Sequence, residues 1–168
     1  MLRLRYPTSV SGITQHFGAN PQNYNQFLCG DQPLPAHEGT DFSAPDGSPI
    51  FACADGVVSR VETDAASGNY GIHVRIKHLI GTQEYQTIYA HFQSITPGLA
   101  VGQPVRRGAV IGQADSTGNS KGSHLHLTLK KTGATARGEK QQLVSGEWVV
   151  YPCDICDPTP YLDAFGIP

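Results

Sequence analysis

Apolar and polar residues alternate in several short stretches of the chain, and turn-forming residues separate these stretches. In residues 71–78, Ile72, Val74 and Ile76 would point to one face of a strand and the polar residues between them to the other. Residues 123–129 alternate in the same way, with three leucines opposite two histidines. Because the side chains of a strand point alternately to its two faces, both stretches predict half-buried strands.

Further runs rich in β-branched and aromatic residues predict strands within residues 49–62, 84–92 and 103–114, and residues 143–151 predict a late hairpin. The chain contains no internal repeat, low-complexity segment or clear linker. Its 19 glycines and 12 prolines among 168 residues favour many turns over a helical bundle. The pattern therefore predicts an all-β fold with an antiparallel sheet core, as a sandwich or partial barrel, in a single domain over residues 1–168.

The charge and hydropathy of the chain argue against two classes of partner. The formal net charge is −2 and no basic patch stands out, so we expect no nucleic-acid partner. No apolar run reaches the roughly 20 residues of a membrane-spanning helix, so we expect no membrane span. Residues 1–7 show no apolar signal-peptide core and no evident cleavage site. We expect a mature form or a domain of an exported protein, or a phage-encoded protein that leaves the cell by another route.

Four cysteines, Cys29, Cys53, Cys153 and Cys156, leave three disulfide pairings open. Cys153 and Cys156 form a single CxxC motif, whereas a four-thiolate zinc site normally uses two such pairs. Disulfides or structural thiols are the favoured interpretation of these residues. A small metal-binding knuckle and a redox pair are the two alternatives.

Histidines and an aspartate cluster at three places that could carry chemistry. His37 and Asp41 lie four apart in a segment rich in glycine and proline, where a turn can bring both side chains to one point. His124 and His126 lie two apart in a predicted strand and therefore on the same face. His91 ends a predicted apolar strand. Each cluster alone also has a structural interpretation, as a surface turn, a pair of half-exposed strand histidines or a buried structural histidine.

Together the three clusters match the ligand set of a catalytic zinc ion, which takes three protein ligands and keeps one position for water. His37, Asp41 and one of the two strand histidines would supply two nitrogens and a carboxylate. Such an ion lowers the pKa of its water to about 7 and polarises a carbonyl group. The other strand histidine and His91 are then available as proton acceptor and oxyanion donor.

Other catalytic arrangements have less support. The chain has no HExxH motif, which excludes a thermolysin-like helical site, and no GxSxG nucleophile elbow. Glu38 is an obvious further base, but it follows His37 in a tight loop. We therefore expect its side chain to point away from the site.

Ten short stretches of the chain, spread over roughly residues 13–162, form a specific series of motifs. They are ITQHFG at 13–18, HEGTDF at 37–42, PI and ADGVV within 49–58, YG at 70–71, YAH at 89–91, VGQ and RG within 101–108, IG at 111–112, STGNS at 116–120, HLHL at 124–127 and DPTPYL at 157–162. In this order and spacing the chain resembles the lysostaphin-type, or LytM-like, zinc endopeptidases, which hydrolyse bacterial peptidoglycan.

The resemblance implies a fold and a role for each site residue. The family fold is an antiparallel β-sheet core with long loops walling a narrow active-site groove. His37, Asp41 and His126 would bind one catalytic Zn²⁺. His124 would act as base or orient the water, and His91 would stabilise the oxyanion or share the base role. The substrate would be a stem or cross-bridge peptide of bacterial peptidoglycan, with glycine bridges and D-alanyl links to a diamino acid both open.

Two segments depart from the family pattern. Residues 20–36 are long and carry Cys29, and residues 130–151 resemble an insertion in a core of about 13–162. Both would wall the groove, so they bear on substrate choice. All five site positions are filled, which favours an active enzyme over a non-catalytic peptidoglycan-binding or hydrolase-regulating module. We expect a monomer that is extracellular, periplasmic or phage-associated, and a phage tail or lysis component is a further alternative.

Overall fold

The computed structural model describes all residues from 1 to 168. Short strands dominate it, with one four-residue helix and one 3₁₀ turn, and no helix is long and apolar enough to cross a membrane. In chain order the elements are β1 (Ile13–Gln15), α1 (Pro21–Tyr24), β2 (Leu28–Cys29), β3 (Gln32–Pro33), β4 (Thr40–Ser43), β5 (Pro49–Phe51), β6 (Gly56–Glu62), β7 (His73–Ile80), β8 (Gln83–Ala90), β9 (Phe92–Ile95), β10 (Pro104–Val105), β11 (Val110–Ala114), β12 (His124–Lys131), β13 (Lys140–Gln142), β14 (Trp148–Val150), β15 (Ile155–Cys156) and the 3₁₀ turn Thr159–Tyr161.

The principal sheet has eight antiparallel strands and confirms the predicted all-β fold. Its order is β1-β4-β12-β8-β7-β6-β10, and β15 pairs with the second half of β12. β7 and β8 form a long hairpin in which Ile80 pairs with Gln83 around a two-residue turn. Gly81 in this turn has a φ of 62°, a conformation that glycine adopts without steric cost. β12 lies between β4 and β8, so its backbone is hydrogen-bonded along both edges.

The hydrophobic core lies between this sheet and a three-stranded sheet of order β5-β11-β9. Leu125, Leu127 and Leu129 of β12 are fully buried in that core, as the alternation of the sequence predicts. Ile50 and Phe92 of the smaller sheet belong to the same cluster. Burial of one such side chain stabilises a fold by about 1.5–3 kcal/mol. The apolar face of β12 is thereby fixed, and its polar face must point to the other side.

Two of the predicted strand regions fold differently in detail. The two apolar runs within residues 49–62 enter different sheets, because β5 pairs with β11 whereas β6 pairs with β7 and β10. The late hairpin is present, but it consists of β13 and β14. Residues 143–147 form its turn, so the strand expected at the start of residues 143–151 begins earlier in the chain.

A second, smaller core joins the two segments that depart from the family pattern. Leu34 and Ala36 of the first segment and Leu143 and Tyr151 of the second belong to it. Phe17 also belongs to it, with its ring centroid 4.7 Å from that of Tyr151. A disulfide between Cys29 and Cys153 fastens the β2–β3 hairpin to the residues before β15. Residues 20–36 and 130–151 are therefore packed on each other at one side of the molecule.

This disulfide decides among the three pairings that the sequence left open. The two cysteines of the CxxC motif are not bonded to each other, since Cys153 pairs with Cys29 and Cys156 is a free buried thiol. Cys53 is also free and buried in the main core. Burial raises the pKa of both free thiols to about 12, which makes them unreactive at neutral pH.

Candidate metal centre

An open groove with a volume of about 1420 Å³ crosses the polar face of the principal sheet. Its floor is formed by β7, β8 and β12, where His126, Thr128 and Lys130 alternate with the three core leucines. Its walls come from the loop segments around β2 and around residues 118–123. All five of the predicted site residues line the groove: His37, Asp41, His91, His124 and His126.

Strand pairing brings the first two clusters together. β4 runs antiparallel to β12, and Asp41 is the direct register partner of His126. His37 precedes β4 in a loop, where its Nδ1 lies 3.0 Å from the carbonyl oxygen of His16. The hydroxyl of Tyr151 donates a hydrogen bond of 3.0 Å to the carbonyl oxygen of His37. The smaller core thus helps to hold the His37 loop over the sheet.

Three donor atoms converge at the bottom of the groove. His37 Nε2 lies 3.1 Å from His126 Nδ1 and 3.3 Å from Asp41 Oδ1, and the distance from His126 Nδ1 to Asp41 Oδ1 is 2.8 Å. Donor atoms of a tetrahedral site with bonds near 2 Å lie roughly 3.3 Å apart. Two imidazole nitrogens and one carboxylate oxygen are also the donor types of such a site. The cluster therefore fits a single tetrahedrally coordinated metal ion.

The charges in this cluster are stabilised by each other. Burial alone would raise the pKa of Asp41, but hydrogen bonds from His126 and His37 outweigh it and hold this pKa well below its usual range. Burial opposes the charged form of His126, whereas the carboxylates of Glu38 and Asp41 raise its pKa above the ordinary value. Asp41 is therefore an anion at neutral pH, the form that binds a cation.

Two further imidazoles lie beside the donor cluster. His124 Nε2 is 3.7 Å from Asp41 Oδ2, and the rings of His91 and His124 have their centroids 4.9 Å apart. His124 Nδ1 lies 2.8 Å from the carbonyl oxygen of Gly122, and His91 Nδ1 lies 2.6 Å from that of Thr117. A carbonyl oxygen only accepts, so in both rings Nδ1 carries the proton and Nε2 is the free acceptor.

His91 stands at the break between β8 and β9 in the left-handed region, with a φ of 66°. This conformation costs a non-glycine residue about 1–3 kcal/mol and is held by a backbone hydrogen bond of 3.0 Å to Tyr70. Burial and the neighbouring His126 and His124 lower the pKa of His91 to about 3. The ring is therefore neutral at neutral pH, with Nε2 unprotonated.

The expectation that Glu38 points away from the site is wrong. Its carboxylate reaches inward, with Oε1 3.6 Å from His126 Nε2, and its other oxygen is buried without a hydrogen-bond partner. Ligand atoms of His37, Glu38 and His126 lie within 4.8 Å of one another, so Glu38 is a possible metal ligand by distance. Asp41 fits better, because it approaches the Nδ1 side of His126, which also faces His37, whereas Glu38 approaches the Nε2 side.

Two residues of the site were not found from the sequence. Thr128 Oγ1 lies 2.8 Å from His126 Nε2, and the hydroxyl of Tyr70 lies 3.4 Å from the same threonine oxygen. The Tyr70 ring packs against His126 with a centroid distance of 5.7 Å. Thr128 continues the alternation of His124 and His126, so the strand pattern could have indicated it. Tyr70 has no such signal beyond the YG motif.

The antiparallel sheet and the His-Asp-His donor cluster together define the class as the lysostaphin-type metallopeptidases. Residues 35–138, a stretch that contains all five site residues, match peptidase family M23, and the chain belongs to this family.

Relatives and solved structures agree with this assignment. The peptidoglycan DD-endopeptidase ShyC of Vibrio cholerae is 36% identical over 130 residues, which are 77% of this chain and 27% of ShyC. The structure of a zinc-containing peptidase from Vibrio cholerae is 31% identical, with a TM-score of 0.59 over 77% of this chain and 36% of that one. The catalytic domain of the prophage-encoded M23 protein EnpA from Enterococcus faecalis is 29% identical, with a TM-score of 0.59 over 77% and 88% of the two chains.

The chain spans only about a quarter of the length of the curated relatives it matches. The similarity to EnpA, by contrast, covers most of an isolated catalytic domain. What is shared is therefore the peptidase domain itself.

Proposed function

We propose that this chain is a zinc-dependent endopeptidase that hydrolyses peptide bonds in the stem or cross-bridge peptides of bacterial peptidoglycan. The observation that carries the proposal is the convergence of His37 Nε2, Asp41 Oδ1 and His126 Nδ1 within 3.3 Å of one another at the bottom of an open groove. ShyC, a peptidoglycan DD-endopeptidase by name, supports the substrate. The zinc-containing peptidase from Vibrio cholerae supports the metal.

His37, Asp41 and His126 would hold the ion. A bound zinc ion supplies Lewis acidity and lowers the pKa of a water molecule to about 7. Neighbouring groups of the protein fix the directions of the two rings: the backbone carbonyl of His16 orients the His37 ring, and the hydroxyl of Thr128 orients that of His126. Such outer partners fix the tautomer and direction of a metal-binding imidazole.

The two remaining imidazoles would handle protons. His124 opens to the groove, and its Nε2 is the free acceptor, so it would take a proton from the attacking water. His91, whose ring centroid is 4.9 Å from that of His124, would receive this proton from His124 on its Nε2 and donate it to the developing oxyanion or to the leaving amine. Because the Nδ1 atoms of both rings are held by carbonyl oxygens, proton exchange is confined to the Nε2 atoms that face the groove.

Peptidoglycan as substrate sets where the enzyme works. An enzyme with this substrate acts outside the cytoplasm, in the periplasm, at the cell surface or as part of a phage particle. The open groove suits an extended peptide, because it exposes the donor cluster along one side of the sheet. The disulfide between Cys29 and Cys153 is of a kind that persists in oxidising compartments and supports the same location.

Digestion of purified peptidoglycan of two cross-link types, with and without a zinc chelator, tests the proposal. Released fragments are identified by mass spectrometry. Peptide cleavage that the chelator abolishes and added Zn²⁺ restores is the expected result. Absence of cleavage from either material by protein with one zinc ion bound would instead point to a non-catalytic wall-binding module. Asp41→Asn is the matched inactive variant, because it keeps the shape of the side chain and removes its charge.

A further inference from the structure

Two basic side chains in the groove lack the ion pairs that most other cations of the chain have. Seven of the 12 lysines and arginines lie within 4.0 Å of a carboxylate oxygen. Of the other five, Lys121 and Lys140 are exposed, and Arg5 stacks on the ring of Phe51. Arg75 and Lys130 remain: both are half-buried, and both line the groove.

These two side chains stand on the same face of the sheet as the donor cluster. Lys130 follows His126 by four residues in β12, so both point to the groove. Arg75 of β7 pairs in register with Ile88, which in turn pairs with Thr128. Buried Ile88 thus forms an apolar floor between the two positive charges.

The donor cluster is close to Arg75. The ring of Tyr70 lies between them, with its centroid 5.7 Å from that of His126 and 6.0 Å from the guanidinium carbon of Arg75. Arg75 uses Nε for a hydrogen bond of 3.3 Å to His73 and leaves its terminal nitrogens free. These nitrogens belong to a residue that lines the same groove as the donor cluster.

The surroundings disfavour both charges in the absence of an anion. Burial lowers the pKa of Lys130, and the positive charge of Arg75 lowers it further. Asp154 opposes this effect, but its carboxylate is engaged with the backbone N–H of Thr135 at 2.9 Å. Burial also lowers the pKa of Arg75. A bound anion would stabilise the charged forms of both side chains and offset their mutual repulsion.

We propose that Arg75 and Lys130 form a binding site for a free carboxylate of the substrate peptide, beside the bond that is cut. This inference rests on the proposed function and deepens it, because it selects among peptidoglycan cross-links. A bridge of glycines alone has no side-chain carboxylate, whereas a D-alanyl link to a diamino acid can present one. The site thus favours the second kind of link and discriminates against its amidated form.

Two synthetic cross-linked peptides that differ only in one carboxyl group, free or amidated, test the site. We expect the wild-type protein to have a KM roughly tenfold lower for the free acid, since hydrogen bonds to a charged group are stronger than those to a neutral one. Arg75→Gln and Lys130→Gln should each remove this preference while kcat and zinc content stay near wild type. Lys77→Gln is the control, because Lys77 is exposed on the same strand and pairs with Glu84 at 3.3 Å.

Calorimetric binding of the free-acid and amidated product peptides to zinc-free protein separates this inference from the proposed function. Tighter binding of the acid by wild type, lost in Arg75→Gln, supports the carboxylate site even where no cleavage occurs. Cleavage of both cross-linked peptides with equal KM, together with equal binding of both products, overturns the site and leaves the endopeptidase intact. Variants of Arg75 and Lys130 that behave like Lys77→Gln overturn it as well.

Discussion

The Nε2 atom of His126 lies 2.8 Å from the hydroxyl oxygen of Thr128, on the side of the imidazole ring opposite Asp41. The threonine oxygen can accept the Nε2 proton, which would leave the lone pair of Nδ1 available to an ion held by Asp41 and His37. Thr128, two positions further along the same strand, thus favours the tautomer that the proposed metal ion would require of His126.

Replacement of this threonine should weaken the metal site without unfolding the protein. Thr128→Val keeps the shape of the side chain but removes the acceptor, so we expect zinc affinity to fall about tenfold to a hundredfold. Competition with a chromophoric chelator measures this affinity. Thr40→Val is the control, since the hydroxyl of Thr40 is buried without a hydrogen-bond partner and its loss should be neutral or stabilising. Equal zinc affinity of the two variants would refute the role of Thr128.

Gly39 should be intolerant of any side chain. A Cβ atom at this position would lie 2.6 Å from the carbonyl oxygen of Leu127 and 2.7 Å from two atoms of the His126 ring. Gly39→Ala should therefore displace His126, destabilise the fold by about 1–3 kcal/mol and lower the zinc content. Thermal unfolding and metal analysis measure the two effects. Gly122→Ala, where a Cβ meets no atom within 4 Å, should match wild type in both.

Thiol titration should distinguish the four cysteines by their state. The native protein should show no reactive thiol, because Cys53 and Cys156 are buried with their pKa raised to about 12. Denaturation should release two thiols, and denaturation with a reductant four. A Cys29→Ser, Cys153→Ser double variant should unfold more readily by roughly 2–4 kcal/mol, since it loses a cross-link that closes a long loop. Four reactive thiols in the denatured, unreduced protein would contradict this pairing.

The protein should lose stability as the pH falls below about 6.5, because burial disfavours the protonated form of His78. Burial lowers the pKa of His78 in the folded chain, whereas the unfolded chain has a value of about 6.5. Above pH 6.5 neither state is protonated and the stability is fully present. As the pH falls from there toward the lower folded pKa, the unfolded state binds a proton that the folded state does not, and stability is lost.

The variant His78→Gln isolates this contribution. Urea unfolding between pH 7.5 and 5.5, with a chelator present, should give a smaller loss of unfolding free energy in the variant than in wild type. His73 and His91, which are also buried with lowered pKa values, should account for part of the loss that remains. An identical pH dependence of variant and wild type would show that His78 is not protonated differently in the two states.

The sequence alone predicts those parts of the site that periodicity governs. His124 and His126 are two residues apart in a strand whose alternating leucines are buried, so they share its other face, and the structure has this arrangement. The all-β architecture follows from the same alternation.

What could not be predicted depends on contacts between distant segments. The direction of Glu38 is set by the packing of its loop on β12, which no local pattern encodes. The pairing of Cys29 with Cys153 spans a sequence separation of 124 and needs the smaller core that joins their segments. In the sequence, Arg75 is an ordinary polar residue of an alternating strand. Only the register of β7 on β8, and of β8 on β12, brings it into the groove.

The disulfide between Cys29 and Cys153 makes the attachment of the groove wall depend on redox conditions. Under reducing conditions the β2–β3 hairpin would be attached to the rest of the groove wall by the smaller core alone. Oxidation adds a covalent tie at the same place, close to the hydrogen bond from Tyr151 that holds His37. We therefore expect the groove wall to be more rigid in an oxidising compartment than in a reducing one.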